Sequence, residues 1–314
     1  MSKLPWHHKL ELRCGRPSTP QSFGPLEHRD CPLCGNTRYR SVLENQYYPL
    51  AELDVMSVAE CQRCSLIFTN PIPSAKWYET FLSPKVNIWW DEPVWTTYEW
   101  QDQNSRDKFI DGLSIIRRIL PNGTLIDVGT GPGLFVRLAL ETGYSAVGFD
   151  ILPEGVTRAK THNIPIVLGK SSGMEFNAKF DVVTLWCVIA HEANFVELVR
   201  DCRRALRPGG VILVETPNMT LWRLLRKPRA LLERLRLTAT SHDALSAYGH
   251  INHFTARTLS YLLKECGFVD IRFHAVRNYG TERGIVDWGK HLLFTTSRAH
   301  INFCFPLVAT ARKM

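Results

Sequence analysis

No stretch of about 18 consecutive uncharged apolar residues occurs in this chain of 314, so no segment reads as a membrane-spanning helix. Met1 to His8 hold no apolar core of signal-peptide length. The expectation is a cytoplasmic protein whose thiols stay reduced. Internal repeats and low-complexity tracts are missing, which excludes repeat architectures. Acidic residues are in deficit, 30 against 38 basic ones, for a net charge of +8. That balance either serves solubility or suits an acidic partner: nucleic acid, a phosphorylated substrate or a membrane surface.

What the chain does have is 45% hydrophobic content, enough for one large domain and a small one. It also has nine cysteines, which in a reducing compartment call for metal, core or catalytic explanations. Residues 1–30 are rich in Pro, His and Arg and read as a leader. Residues 31–70 carry Cys31-x-x-Cys34-Gly35 and Cys61-x-x-Cys64, with room between for a hairpin through 39–43 and 54–59. Each pair puts two sulfurs on one tight turn. Four thiolates fit tetrahedral zinc and leave no open position, so Cys31, Cys34, Cys61 and Cys64 are expected to hold structural Zn2+.

Residues 71–118 form the next segment. It is dense in aromatics between Trp77 and Tyr98 and reads either as a packing surface or as a lid over a substrate. Its end, from Lys108, has helical apolar spacing at Ile110, Leu113, Ile116 and Leu120. Residues 119–314 make up the main domain. Strands are expected at 125–128, 146–150, 166–168, 180–186 and 211–215, and helices at 153–162, 195–206 and 259–266. Late strands are expected at 269–273 and 307–311. The alternation predicts an α/β fold, a doubly wound and mostly parallel sheet, with the small zinc module at its N-terminal side.

Leu125-Ile-Asp-Val-Gly-Thr-Gly-Pro-Gly133 is the stretch with the clearest chemistry: a buried strand, a glycine turn and a helix start that favours an anion. Its third glycine falls one residue short of the dinucleotide fingerprint, and no Lys-Ser/Thr pair follows for a triphosphate. Asp127 would repel a pyrophosphate but suits an ammonium group. Asp150, ending the second strand, is placed to accept bonds from ribose hydroxyls. A ligand with an amino-acid end and a ribose fits S-adenosylmethionine.

Asp127 to Gly133, Gly148-Phe-Asp150, Phe180-Asp-Val-Val183, His191 and Leu206-Arg-Pro-Gly-Gly210 together resemble the ordered motifs of class I S-adenosylmethionine-dependent methyltransferases. By that resemblance Gly129, Gly131 and Gly133 line the methionine part, Asp150 takes the ribose and Ile151 packs on adenine. Ser171 matches a position that contacts adenine, and Trp186 ends its strand beside the cofactor. The paired CxxC knuckles followed by Thr69-Asn-Pro71 are similar to a bacterial subgroup that includes sugar C-methyltransferases. That subgroup has a Glu-His pair where this chain reads Ala190-His191.

A base is needed if the acceptor must lose a proton, and His191 is the first candidate, with His250 second. Tyr248 and Glu215 are further groups on the acceptor side. An insertion at 219–240 holds much of the positive charge: residues 221–237 carry six basic side chains and one acid. It reads as an outward-facing cap, or as a helix gripping phosphates or lying peripherally on the inner face of a membrane. The expected activity is methylation of a small molecule: a sugar, as nucleotide sugar or lipid-linked glycan, or a similar metabolite. The alternatives are an RNA methyltransferase gripping its backbone with the module and the insertion, and a non-catalytic binding module. Nothing in the sequence fixes the oligomeric state.

Overall fold

The computed structural model describes residues 26–48, 51–73, 103–169, 176–220, 223, 250–276 and 306–314. The aromatic stretch 77–98, Ser171, Tyr248 and all of 221–237 except Arg223 lie outside the described residues.

The N-terminal strands are β1 (Leu26–Glu27), β2 (Tyr39–Tyr48), β3 (Ala51–Cys61), β4 (Ile67–Thr69) and β5 (Ile72–Pro73). The hairpin expected between the CxxC pairs is the β2–β3 pair, longer than foreseen and aligned so that Tyr39 faces Cys61. Then come α1 (Gln103–Ile119), β6 (Thr124–Val128), α2 (Leu134–Glu141), β7 (Ser145–Asp150), α3 (Pro153–Thr161) and β8 (Ile166–Leu168). The second half holds β9 (Phe180–Trp186), α4 (Phe195–Ala205), β10 (Leu206–Thr216), β11 (Asn252–His253), α5 (Ala256–Glu265), β12 (Phe268–His274) and β13 (Leu307–Lys313).

Seven strands form the main sheet in the order β12-β13-β10-β9-β6-β7-β8. The pairs β10–β9, β9–β6, β6–β7 and β7–β8 are parallel. Only β13 runs against its neighbours, because it pairs antiparallel with both β10 and β12. The chain leaves β6 toward β7 and β8, then returns to β9 on the other side. The strand order therefore reverses beside β6, and a crevice at the carboxyl ends of β6, β7 and β9 is where this architecture takes ligands.

Strand parity sorts the core onto two faces. Ile126, Val128, Val183 and Leu185 pack in one cluster with α4 and α5. Leu125, Val182 and Trp186 belong to the other, with Phe109, Leu113 and Ile116 of α1 and Phe135 of α2. The stretch 103–118, grouped with the linker on sequence grounds, thus packs as a core helix. On α4, Phe195, Leu198, Val199 and Cys202 follow helical spacing and are all buried. Burial pushes the Cys202 thiol up, as suits a core residue and not a ligand. Helix α5 starts at Thr255, whose hydroxyl accepts from the Thr258 N–H, while the Thr258 hydroxyl accepts from the Thr255 N–H.

The N-terminal module does not stand apart from this core. Cys31, Leu33, Ala59, Leu66 and Phe68 belong to the same cluster as Phe195 and Phe254. Its sheet runs β11-β4-β3-β2, so a strand from the second half of the chain completes it. Asn252 pairs with Phe68 and His253 with Ile67. The Thr69 N–H donates to the Ile251 carbonyl at 2.9 Å. The Arg29 guanidinium reaches the carbonyls of Thr69 and Ile251 and the Asn252 side chain, each at 3.3 Å.

Candidate functional site

The glycine turn begins where β6 ends. Gly129, Gly131 and Gly133 take φ of 70°, 57° and 88°, the left-handed region that glycine alone visits cheaply. A Cβ on Gly129 would sit 2.5 Å from a Val188 methyl. The turn must therefore be bare both for its backbone and for its contact with the loop after β9. Helix α2 starts directly after Gly133, so its first N–H groups face the turn.

Two carboxylates flank it. Asp150 ends β7; its Oδ2 accepts from the Gly131 N–H at 2.7 Å and its Oδ1 from the Leu152 N–H at 2.9 Å. Burial raises its pKa, and these backbone donors oppose the rise. Each oxygen keeps a lone pair for a hydroxyl from a ligand. The next residue, Ile151, is exposed. Asp127 lies deeper, 2% exposed, and accepts from the Thr184 hydroxyl at 2.6 Å. Burial pushes its pKa up to about 7, against the hydrogen bonds from Thr184 and Thr130.

Trp186, expected beside the cofactor, has its ring in the core. It packs edge-on to Phe109 with centroids 4.9 Å apart and lies 5.1 Å from Phe135. A Cβ on Gly112 of α1 would stand 2.3 Å from it. Parity explains this: Trp186 shares the face of Val182 and Thr184, beneath α1.

After β9 the chain brings three groups together. Cys187 follows β9, His191 closes the next turn, and His250 precedes β11. The Cys187 Sγ lies 3.4 Å from His250 Nε2 and 3.9 Å from His191 Nε2. The two imidazoles are tilted at 45°, with centroids 4.7 Å apart. Cys187 holds φ 62°, unusual for a side-chain-bearing residue. Its N–H donates to the Glu215 carbonyl at 3.0 Å. Burial lowers the His250 pKa, opposed by the charge of Glu215. Glu215 is itself paired with Lys108 of α1 at 3.5 Å, both side chains buried.

His191 and His250, proposed from sequence as bases, are thus neighbours. Cys187 and Lys108 were absent from that set. Cys187 carried one signal, its place four residues before His191. Lys108 carried none, since a lysine on an amphipathic helix reads as surface.

The four module cysteines also converge. Cys31 and Cys64 sulfurs lie 3.5 Å apart, and those of Cys34 and Cys61 3.6 Å apart. All four sulfurs fall within 4.8 Å of one another. The two knuckles are built alike. Gly35 N–H donates to the Cys31 carbonyl at 2.8 Å, and Ser65 N–H to the Cys61 carbonyl at 3.1 Å. Ser65 takes φ 67°, matching Gly35 at 65°. The Arg63 and Cys64 N–H groups donate to the Cys61 sulfur at 3.4 and 3.5 Å. Hydrogen bonding with Cys64 draws the Cys31 thiol down to about 5, so a thiolate forms readily there.

Comparison with known proteins gives this arrangement a family. A family model described as "Methyltransferase domain" matches residues 102–272. Ubiquinone biosynthesis O-methyltransferase of Caulobacter vibrioides is 32% identical over 106 residues, covering 31% of this chain and 42% of that protein. The enzyme of the same description from Pseudomonas paraeruginosa is 25% identical over 150 residues, 43% of this chain and 62% of that one. The chain therefore spans about half the length of the curated relatives it matches. Among solved structures, a 1,6-didemethyltoxoflavin-N1-methyltransferase from Burkholderia thailandensis, crystallised with S-adenosylhomocysteine, aligns at TM-score 0.48 and 15% identity. It covers 87% of this chain and all of that one. A methyltransferase from Archaeoglobus fulgidus aligns at TM-score 0.44 and 15% identity over 71% of this chain and all of that one. With the family model covering more than half of its length, the chain belongs to the methyltransferase-domain family, as a class I S-adenosylmethionine-dependent methyltransferase domain.

Proposed function

We propose that the chain methylates a hydroxyl oxygen of a small acceptor, a sugar carried on a nucleotide or on a lipid. Bound S-adenosylmethionine would supply the methyl group as an activated sulfonium substituent. The turn of Gly129, Gly131 and Gly133 would hold its methionine part, Asp150 would accept from its ribose and Ile151 would offer apolar surface to its adenine. The acceptor hydroxyl must shed a proton as it attacks, and the groups at the carboxyl end of β9 are suited to that. His191 and His250 can take or orient the proton, and the buried Lys108–Glu215 pair fixes the charge beside them.

The observation that carries this reading is the β4–β11 pairing. The segment that presents His250 runs directly into β11, a strand of the module's sheet. The module is therefore committed to building the acceptor wall, which favours a small acceptor over an RNA backbone as its purpose. Oxygen as the accepting atom is supported by the relatives described as O-methyltransferases. Structural zinc in the module is part of the same proposal. With metal–sulfur bonds of about 2.3 Å, a tetrahedral site has sulfurs about 3.8 Å apart. The paired cysteines at 3.5 and 3.6 Å need only a small expansion to hold the ion. Contact of 221–237 with a membrane surface would suit a lipid-linked acceptor.

The test is incubation of the full chain with S-adenosylmethionine labelled on its methyl carbon. Nucleotide sugars, lipid-linked glycans, phenolic acceptors and transfer RNA are offered in turn, and label is read by mass spectrometry. Label in a sugar fraction is expected. Label in RNA alone would overturn the reading.

A further inference from the structure

We propose that Cys187, His191 and His250 form a metal site of their own, which binds one borderline divalent cation of the zinc type and leaves a fourth position for an oxygen ligand. Their donor atoms all lie within 4.8 Å of one another. Metal–sulfur bonds of about 2.3 Å and metal–nitrogen bonds of about 2.0 Å give a sulfur–nitrogen edge of about 3.5 Å in a tetrahedral site. The observed separations, 3.4 Å to His250 and 3.9 Å to His191, straddle that edge. One sulfur and two imidazole nitrogens suit zinc or a similar ion and not magnesium or calcium, which take oxygen.

The donors are positioned by bonds of the segments that carry them. Cys187 is held in the left-handed region, with its N–H tied to the Glu215 carbonyl. The segment of His250 is fastened to that of His191. The Ala190 carbonyl accepts from the N–H groups of Ile251 and Asn252 at 2.8 and 3.0 Å. The Asn252 amide donates to the carbonyls of Ile189 and Glu192 at 3.0 and 2.8 Å. Two histidines 59 positions apart in sequence are thereby fixed in a converging arrangement. Backbone strain maintained by its surroundings is a feature of functional sites.

The contrast with the module cysteines is chemical. Four thiolates close a site; three donors leave it open, which is the pattern of zinc that touches substrate. All three residues are partly exposed, so an outside ligand has access. They stand at the carboxyl end of β9, next to the strand-order reversal, and Glu215 supplies a neighbouring negative charge. An acceptor hydroxyl in the fourth position would lose its proton more readily on the metal, and His191 and His250 would then serve as its ligands instead of as the proton acceptors. That use rests on the methyl-transfer reading, whereas the cation site does not.

The experiment is metal analysis of the full chain produced in cobalt-supplemented medium, with visible absorption as the second readout. Wild type is expected to hold about two equivalents of cobalt, one in a four-sulfur and one in a mixed sulfur–nitrogen environment. Cys187→Ser and His250→Gln are each expected to hold about one and to lose the mixed-ligand absorption while keeping the four-sulfur bands. The variants are checked for folding by circular dichroism, and either one, if folded, suffices. Wild type without the mixed-ligand absorption, or a folded variant that keeps it, overturns the site. S-adenosylmethionine binding and methyl transfer are scored separately, so a chain that binds the second cation but transfers no methyl group sinks the activity alone.

Discussion

Asp127→Asn is the substitution whose effect follows most directly from the geometry. The carboxyl is buried at the end of β6, and burial lifts its pKa from the ordinary 3.8 to about 7. The folded protein therefore holds a proton that the unfolded chain releases. A raised acid of this kind contributes stability that is full below the unfolded pKa and is lost as pH climbs through the folded one. The shift of about 3 units corresponds to about 4 kcal/mol in total. Between about pH 5.5 and about pH 8.5 the lost share is about 2 kcal/mol. Asparagine keeps the shape and an oxygen for the Thr184 hydroxyl, but cannot ionise. Urea unfolding of both proteins at these two pH values isolates Asp127 with its coupling to Asp150 and Lys108, because titrations independent of it cancel in the difference. The wild type should lose about 2 kcal/mol more than the variant over this interval. Equal losses would refute the burial of an ionisable group at this position.

Gly129→Ala places a Cβ 2.5 Å from Val188 at a φ of 70°. The backbone strain alone costs about 1–2 kcal/mol, and a lowered melting temperature with weakened cofactor binding is expected. Arg29→Ala removes the guanidinium that links Thr69, Ile251 and Asn252. Turnover should fall while cofactor affinity, measured by calorimetry, stays within about twofold, since Asp150 and the glycine turn belong to the main sheet and make none of these bonds. The proposed zinc in the module predicts that a strong chelator lowers the melting temperature sharply, because Cys31 and Cys61 are part of the continuous core. His274 is drawn down to about 4 by burial and by Arg118 and Arg272. Its contribution is present above the unfolded pKa and lost as pH falls through the window toward 4, so His274→Gln should flatten the acid side of the stability curve.

Much of this was readable from residue pattern. The strand-turn-helix at Leu125 to Val136, the run of β7 to Asp150 and the spacing of Phe195, Leu198, Val199 and Cys202 all depend on local periodicity, which a sequence displays. The paired CxxC motifs were legible for the same reason: each knuckle is a four-residue object. What escaped depends on sequence-distant pairing. Strand β11 is two residues long and has no periodicity, yet it joins the module to the main domain. Cys187 looks solitary until His250, 63 positions later, is brought to its sulfur. Lys108 is buried because Glu215 and the rings of Phe109 and Trp186 meet it, which no helical pattern announces. The orientation of Trp186 lay within reach of strand parity but depended on α1 covering that face.

The central claim is that the glycine turn and Asp150 form the methyl-donor site. Titration calorimetry of S-adenosylmethionine into the full chain and into Asp150→Ala tests it most directly. Lost hydrogen bonds to a carboxylate are worth about 1.5–3 kcal/mol each, so two ribose bonds predict affinity at least about 100-fold weaker in the variant. Single-site binding to the wild type and that loss in the variant are expected. No heat with wild type, or equal affinity in both, would contradict it.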